Sequence, residues 1–304
     1  MRRKLSYLAV SALLLVVAAS AAEAQTKLRW KFKPDEQIHY EMKMDMAQEM
    51  LVREMKIGTK MSQVMNMTWA AKEVAEDGTT VLSQTIDRVR VNITPMMPGQ
   101  EPISFDSESE TVEKNAEMLA PLFKSMVGAP ILITVTPLGE IKNIELSPEM
   151  AKVLKGTAEI PLGAMFSEDS FKQMMARSMF SFPNEVAKDQ AWETTTEIPN
   201  PILGKQIVVA KYRYLGPEER EGHKLEKIDT GLEMKFESGP DAKAEVKIGD
   251  QSSSGAIYFD NVAGHPTETN LTSKMTMEIE VGGMAFEQHI TTSVQLKEMT
   301  PEKK

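Results

Sequence analysis

Two kinds of periodicity divide the chain. From Gln25 to about Phe105 apolar residues recur every second position, which predicts half-buried strands. Leu28, Trp30 and Phe32 alternate with Arg29, Lys31 and Lys33, and Pro34-Asp35-Glu36 makes a turn. Next, Ile38, Tyr40, Met42, Met44 and Met46 alternate with His39, Glu41, Lys43 and Asp45. Met61, Met65, Met67 and Trp69 carry the same spacing, and Asp77-Gly78 is a hairpin turn. Beyond it Leu82 and Ile86 hold one parity, whereas Val89, Val91 and Ile93 hold the other. A parity switch inside one strand predicts a β-bulge near Asp87-Arg88.

The helical signal lies between Glu110 and Phe182. Val112, Ala116, Leu119, Leu122, Phe123 and Met126 recur at helical spacing, with Thr111 as N-cap and Gly128-Ala129-Pro130 as the stop. Pro121 removes a backbone donor inside that pattern and predicts a kink or two short helices. A strand pair follows, with Ile131, Ile133 and Val135, a turn at Pro137-Leu138-Gly139, then Ile141 and Ile144. Ser147-Pro148-Glu149 predicts an N-cap with proline at the first helical position, opening a short helix to Lys155. A third helix is expected from Ser167 to about Met179.

After Pro183 the sheet pattern resumes. A strand from Trp192 ends near Ile198, and Pro199-Asn200-Pro201 breaks it. Ile207, Val209, Tyr212 and Tyr214 form the next, ended by Gly216-Pro217 and the charged run Glu218 to Glu221. Leu225 and Ile228 belong to a strand running towards Phe236, and Gly239-Pro240-Asp241 turns it. Ser252-Ser253-Ser254 before Gly255 reads as a flexible loop, and Asn261 to His265 as another. Gly282-Gly283 joins two long strands in a tight hairpin. Pairing Val281 with Met284 sets Ile279 against Phe286, Met277 against Gln288 and Met275 against Ile290. All are apolar except Gln288, so this register predicts a shared buried face.

The expected fold is therefore α+β and β-dominated. Two antiparallel meanders, forming an open or half barrel, flank a central helical insert that carries a small hairpin. The segments are 1–24 as a leader, 25–109 as the first meander, 110–182 as the insert, 183–299 as the second meander and 300–304 as a frayed tail. Residues 25–299 form one composite domain.

The leader changes the picture of where the chain acts. Arg2, Arg3 and Lys4 precede an apolar run from Leu5 to Ala19, and Ala22-Glu23-Ala24 is a small-x-small cleavage site, so export with cleavage after Ala24 is expected. The apolar run is short for a membrane span, and no later stretch approaches one, which argues against stable membrane insertion. No cysteine occurs in the 304 residues, so no disulfide framework is available and stability must come from core burial. The net charge of −9 becomes more negative once the leader departs, which argues against nucleic acid as a partner.

Candidate chemistry is sparse. A cysteine nucleophile is excluded by count, and no G-x-S-x-G elbow occurs. His39, His223, His265 and His289 are scattered without metal spacing. Asp106, Glu108, Glu110 and Glu113 form an acidic cluster that reads either as a calcium loop or as solvated carboxylates favouring the helix N-terminus that follows. The reading is of a non-enzymatic protein without a cofactor. The compositional oddity is methionine, at 23 residues. Three explanations compete. Methionine fills irregular cores, it lines cavities for variable apolar ligands, and its thioether binds Cu(I), for which Met42-x-Met44-x-Met46, Met65-x-Met67 and Met275-x-Met277 supply a spacing. In a strand, however, M-x-M is the ordinary period of any buried face.

The chain also resembles a family of exported bacterial proteins defined only as a domain of unknown function. The likeness rests on Leu28-Arg29-Trp30-Lys31-Phe32, Ala75-Glu76-Asp77-Gly78, Phe105-Asp106-Ser107, Val135-Thr136-Pro137-Leu138-Gly139 and Phe182-Pro183 with Trp192 downstream. Asp189-Gln190 stands where family members often have Gly-Asp. These are turn and core residues, and the resemblance implies no activity. More loosely, the element order is similar to the open half-barrels of periplasmic lipoprotein carriers, in which helices plug an apolar concave sheet. The expected ligand site is the inner face formed by Tyr40, Met42, Met44, Met46, Met65, Met67 and Trp69, under helices from the Val112–Met179 region. Its expected partner is a lipid, a lipoprotein acyl chain or an exported protein. The alternatives are a structural module with a filled core and a Cu(I) binder through the M-x-M strands.

Overall fold

A computed structural model describes residues 25–52, 55–97, 99–117, 120–157, 168–176, 179–200, 204–239 and 244–299. The leader 1–24 and the tail 300–304 therefore lie outside the described residues, as do parts of the loops expected near Pro201 and Pro240. The elements in order are β1 Gln37–Val52, β2 Met55–Val74, β3 Thr80–Pro95, β4 Ile103–Asp106, a single 3-10 turn Lys114–Ala116, α1 Ala120–Met126, β5 Ile131–Val135, β6 Ile141–Leu146, α2 Pro148–Thr157, α3 Glu168–Met175, β7 Ala191–Asn200, β8 Gly204–Arg220, β9 His223–Glu237, β10 Ala244–Asp260, β11 His265–Val281 and β12 Met284–Met299.

All the strands join one antiparallel sheet in the order β6-β5-β3-β2-β1-β12-β11-β10-β9-β8-β7, with β4 added beside β3. The two meanders thus merge where the first strand meets the last. His39 faces Met299 and Leu51 faces Glu287 along a continuous β1–β12 ladder. The sheet does not close, because β6 and β7 remain its two edges. It is sharply curled on the C-terminal side, where β9 and β11 approach each other past β10. Further out β9 and β10 part company: their pairing stops at Thr230–Gly255, and the Gln251 side chain bridges to the Met234 backbone instead.

Several local expectations hold. The β2–β3 ladder slips between Asn66–Arg88 and Met67–Ile86, leaving Asp87 as the extra residue of a bulge. The β11–β12 register is Val281–Met284, Ile279–Phe286, Met277–Gln288 and Met275–Ile290. Ser147 Oγ accepts from the Met150 amide, 3.2 Å away, and so caps α2. The helical run around Pro121 is split into the 3-10 turn and α1.

Others need correction. Leu28, Trp30 and Phe32 do not form a strand of the sheet. The segment runs extended across its concave side, with only a bridge between Thr26 and Val186. Its alternation reflects side chains dropping into a core rather than a pleated ladder. Gly216-Pro217 does not end β8: Leu215 is taken up as a bulge, and the strand continues to a turn at Glu221-Gly222. Ser252 to Gly255 is not a loop but the middle of β10, paired with Leu271 to Lys274. Phe286 has the expected partner but is only half-buried, although Met277 and Gln288 in the next row are buried. The third helix ends at Met175, short of the expected Met179, and its expected start at Ser167 lies outside the described residues.

The core gathers at one end of the concave face. Trp30 lies 2% exposed among Phe180, Phe182, Phe259 and Trp69, with ring centroids 5.0–6.5 Å from its own. Its indole N–H donates to the Phe180 carbonyl at 2.9 Å. The amides of Trp30, Lys31 and Thr26 donate to Pro137, Gly264 and Val186, so this one segment staples turns from both halves of the sheet. A second cluster seats α2 and α3 over β5 and β6, through Met150, Leu154, Phe171 and Met175 against Ile131 and Ile133.

The acidic loop after β4 is held from the sheet. Arg88 Nε and Nη2 donate to Asp106 at 3.1 and 2.6 Å, and Nη1 lies 2.6 Å from Glu108. This hydrogen-bonded fork, more than any other cause, holds the Asp106 carboxyl below its usual value. A lowered carboxyl pKa adds stability above the unfolded value, near 3.9, and the contribution is lost as pH falls through the folded value. Arg88→Met is therefore expected to flatten the fall in melting temperature below about pH 4. An unchanged acid slope would show that the clamp carries no stability.

Candidate functional site

The register assigns the faces of the sheet residue by residue. Ile38, Tyr40, Met42, Met44, Met46, Gln48 and Met50 of β1 share the concave face with Trp69, Met67, Met65, Gln63, Met61, Thr59 and Ile57 of β2. On the other side of β1 the same rows continue into Leu296, Val294, Thr292, Ile290 and Gln288 of β12. They continue again into Thr269, Leu271, Ser273, Met275 and Met277 of β11. All seven residues singled out from the sequence thus lie on one face.

They do not share one environment. Tyr40, Met67 and Trp69 are buried in the aromatic core, with Tyr40 and Trp69 centroids 5.0 Å apart. Met42 and Met65, direct cross-strand partners, are partly buried against that core. Met61 is likewise partly buried against it, whereas Met44 and Met46 stand beyond it, half-exposed, as do Gln48, Met50, Ile57, Ile290 and Phe286. The expected cover also differs. The inner end of the methionine stripe is closed by Trp30 and the Phe180–Phe182 segment, while α1 packs on β3 and the other two helices sit over the β5–β6 edge. The helical periodicity was satisfied by covering the shorter strands, which have no other core.

From the Met42–Leu296 row outwards, no described concave position in β1, β2, β11 or β12 is charged. The convex positions of the same strands carry Glu41, Lys43, Asp45, Glu49, Lys60, Glu278, Glu280, Glu287 and Lys297. Among described residues the outer lip is apolar and open: Met55 and Met284 are 67% and 57% exposed, and Val281 is also exposed. Isolated exposed apolar residues need no explanation, but these adjoin a continuous uncharged face.

Charge returns only at the inner wall. Tyr40 Oη donates to the Pro266 carbonyl at 2.9 Å and lies 3.5 Å from His265 Nδ1, which is 3.6 Å from Glu298 Oε2. Burial, with Glu298 and Glu36 adding to it, pushes the Tyr40 hydroxyl well above its ordinary value. Burial likewise raises the Glu298 carboxyl, while His265 pulls the other way. Tyr214 Oη donates to Glu226 at 2.5 Å, and its pKa is pushed up to about 12, chiefly by burial. The two tyrosine hydroxyls hold their protons, which suits a structural wall. Among the described residues no group of three His, Asp or Glu side chains is placed to hold a metal ion. No described helix is long and apolar enough to cross a membrane.

Residues 77–212 match the model of a family of unknown function, DUF6263. The match opens at the Asp77-Gly78 turn and runs into β8, so it includes Phe105, Val135 to Gly139, Phe182 and Trp192. The Leu28 to Phe32 motif lies outside it. No curated protein matches. Among solved structures, the chain is similar to one described as lipid-protein interactions in lipovitellin, at 11% identity and a TM-score of 0.46, covering 89% of this chain and 26% of that one. It is also similar to a putative outer membrane lipoprotein-sorting protein domain from Vibrio parahaemolyticus, at 9% identity and a TM-score of 0.16, covering 88% and 87%. Domain G2 of mouse nidogen-1 follows at 14% identity and 0.17, covering 68% and 69%. At these TM-scores the likenesses are loose.

Sequence reasoning missed half of the concave face. Met61, Gln48, Gln63, Ile290, Thr292 and Val294 belong to it as much as Met44 does. The signal was present in the last strand, where Ile290, Val294 and Leu296 hold one parity. Nothing local told that strand to pair with the first, because the partners are more than two hundred residues apart.

Proposed function

We propose that this protein is a non-enzymatic carrier that holds an apolar or amphiphilic ligand against its concave face. The observation that carries the reading is the half-exposed, uncharged surface beyond the aromatic core, lined by Met44, Met46, Met50, Ile57 and Ile290, with Met61 at its border with the core. Covering the exposed half of each such side chain is worth roughly 1 kcal/mol. Methionines adapt to chains of varied shape, and the rigid inner wall leaves the ligand's seat pre-formed. The leader Met1 to Ala24 supports action outside the cytoplasm, where a lipid or the acyl chain of a lipoprotein is an accessible cargo.

A neutral apolar dye such as Nile red tests the reading. The protein is expected to bind it, and Met46→Glu combined with Met61→Glu is expected to weaken binding at least tenfold in a variant that remains folded by far-UV circular dichroism. Two cross-strand carboxylates would have to be desolvated by the ligand. Undiminished binding by the double variant would move the site elsewhere.

A further inference from the structure

The concave face is not uniformly apolar: Thr269 lies further in and the buried Gln288 further out, and the other polar positions concentrate in a band between them. Ser253, Ser273 and Thr292 occupy one row across β10, β11 and β12, continuing into Met46 and Met61. Gln63 stands in the row on the inner side, and Gln48 and Thr59 in the row on the outer side. None of these is charged. Ser253 Oγ is buried and has no hydrogen-bond partner within the protein. A buried hydroxyl without a partner is costly, and a ligand acceptor would satisfy it. Gln251, one row out, is already engaged with both backbone groups of Met234.

We infer that the ligand is a neutral acyl ester or amide, with its carbonyl at the hydroxyl band and its chain directed towards the aromatic wall. This deepens the carrier reading and rests on it. Ser253 donates to the carbonyl oxygen, and the hydroxyls of Ser273 and Thr292, the next positions along the same row, meet the adjoining polar atoms. The chain then lies along Val294, Leu296, Met44, Met42 and Met65. From the Thr292 row to the Glu298–Tyr40 row is six residues of strand, about 20 Å at 3.3 Å per residue. An ionised fatty acid finds no cation on the described part of this face. Glu298 at its inner end is acidic, so a carboxylate would be desolvated without compensation.

Displacement of Nile red from the full-length mature protein at pH 8 separates the cases, using monolaurin and laurate, which share a chain. Monolaurin is expected to displace the dye at a concentration at least tenfold below that needed for laurate. Ser253→Ala should narrow that ratio in a protein whose melting temperature is unchanged. Ser273→Lys should shift the preference towards laurate by supplying the missing cation. Equal displacement by the two lipids, a preference for laurate, or an unchanged ratio in Ser253→Ala would overturn the inference while leaving an apolar site standing. A protein that takes up no Nile red at all would overturn the carrier reading itself.

Discussion

Trp30→Ala should destabilise the protein by about 3–5 kcal/mol, the cost of removing a fully buried large aromatic side chain. The ring touches four other aromatic residues drawn from β2, β10 and the Phe180–Phe182 segment, and its N–H satisfies the Phe180 carbonyl. Truncation leaves a cavity and an orphaned acceptor together. The useful comparison is Phe286→Ala, at a half-buried site on the open part of the same sheet, where a loss of only about 1 kcal/mol is expected. Urea unfolding of the two variants decides between a core at one end and a core spread along the sheet. Equal losses would mean that the outer face is as filled as the inner one.

Gly139→Ala is expected to cost about 2–4 kcal/mol, combining a left-handed backbone penalty with overpacking. Gly139 has φ +84, and a Cβ there would lie 2.2 Å from the Phe180 carbonyl oxygen and 2.6 Å from Trp30 Nε1. The first of these is backbone and cannot simply rotate away. Gly282→Ala is the control. It shares a positive φ, +59, but its added methyl meets nothing within 4 Å, so only the backbone penalty of about 1 kcal/mol remains. Chemical denaturation of both variants reads the difference. A Gly139→Ala protein no less stable than Gly282→Ala would show that the turn and the tryptophan are not packed together.

What the sequence made legible was the local part of this fold. The β11–β12 register could be read because Gly282-Gly283 fixes it and apolar parity on both sides agrees. The bulge at Asp87 could be read because one residue too many reverses the parity of Val89. The cap at Ser147 follows from a hydroxyl next to Pro148. The non-local part was hidden. Leu28, Trp30 and Phe32 alternate like a strand whether they join a sheet or lie across one, and only the turns at Pro137 and Gly264, which receive the Trp30 and Lys31 amides, distinguish the two. Gly216-Pro217 looks like a turn in isolation, yet the ladder to β9 continues past it because a bulge absorbs the irregularity. The candidate site was half legible for the same reason. The methionine stripe of β1 and β2 shows in the sequence as a period of two, but the β1–β12 pairing that doubles the width of the face leaves no local trace.

The carrier reading stands on whether the open concave face is occupied in the native protein. The most direct measurement is lipid extraction and mass spectrometry of the protein purified from its own compartment without detergent. A neutral acyl lipid is expected in near-stoichiometric amount, and it should be absent from the folded Met46→Glu and Met61→Glu double variant. A native protein free of lipid, or a lipid that remains with the double variant, would contradict the account.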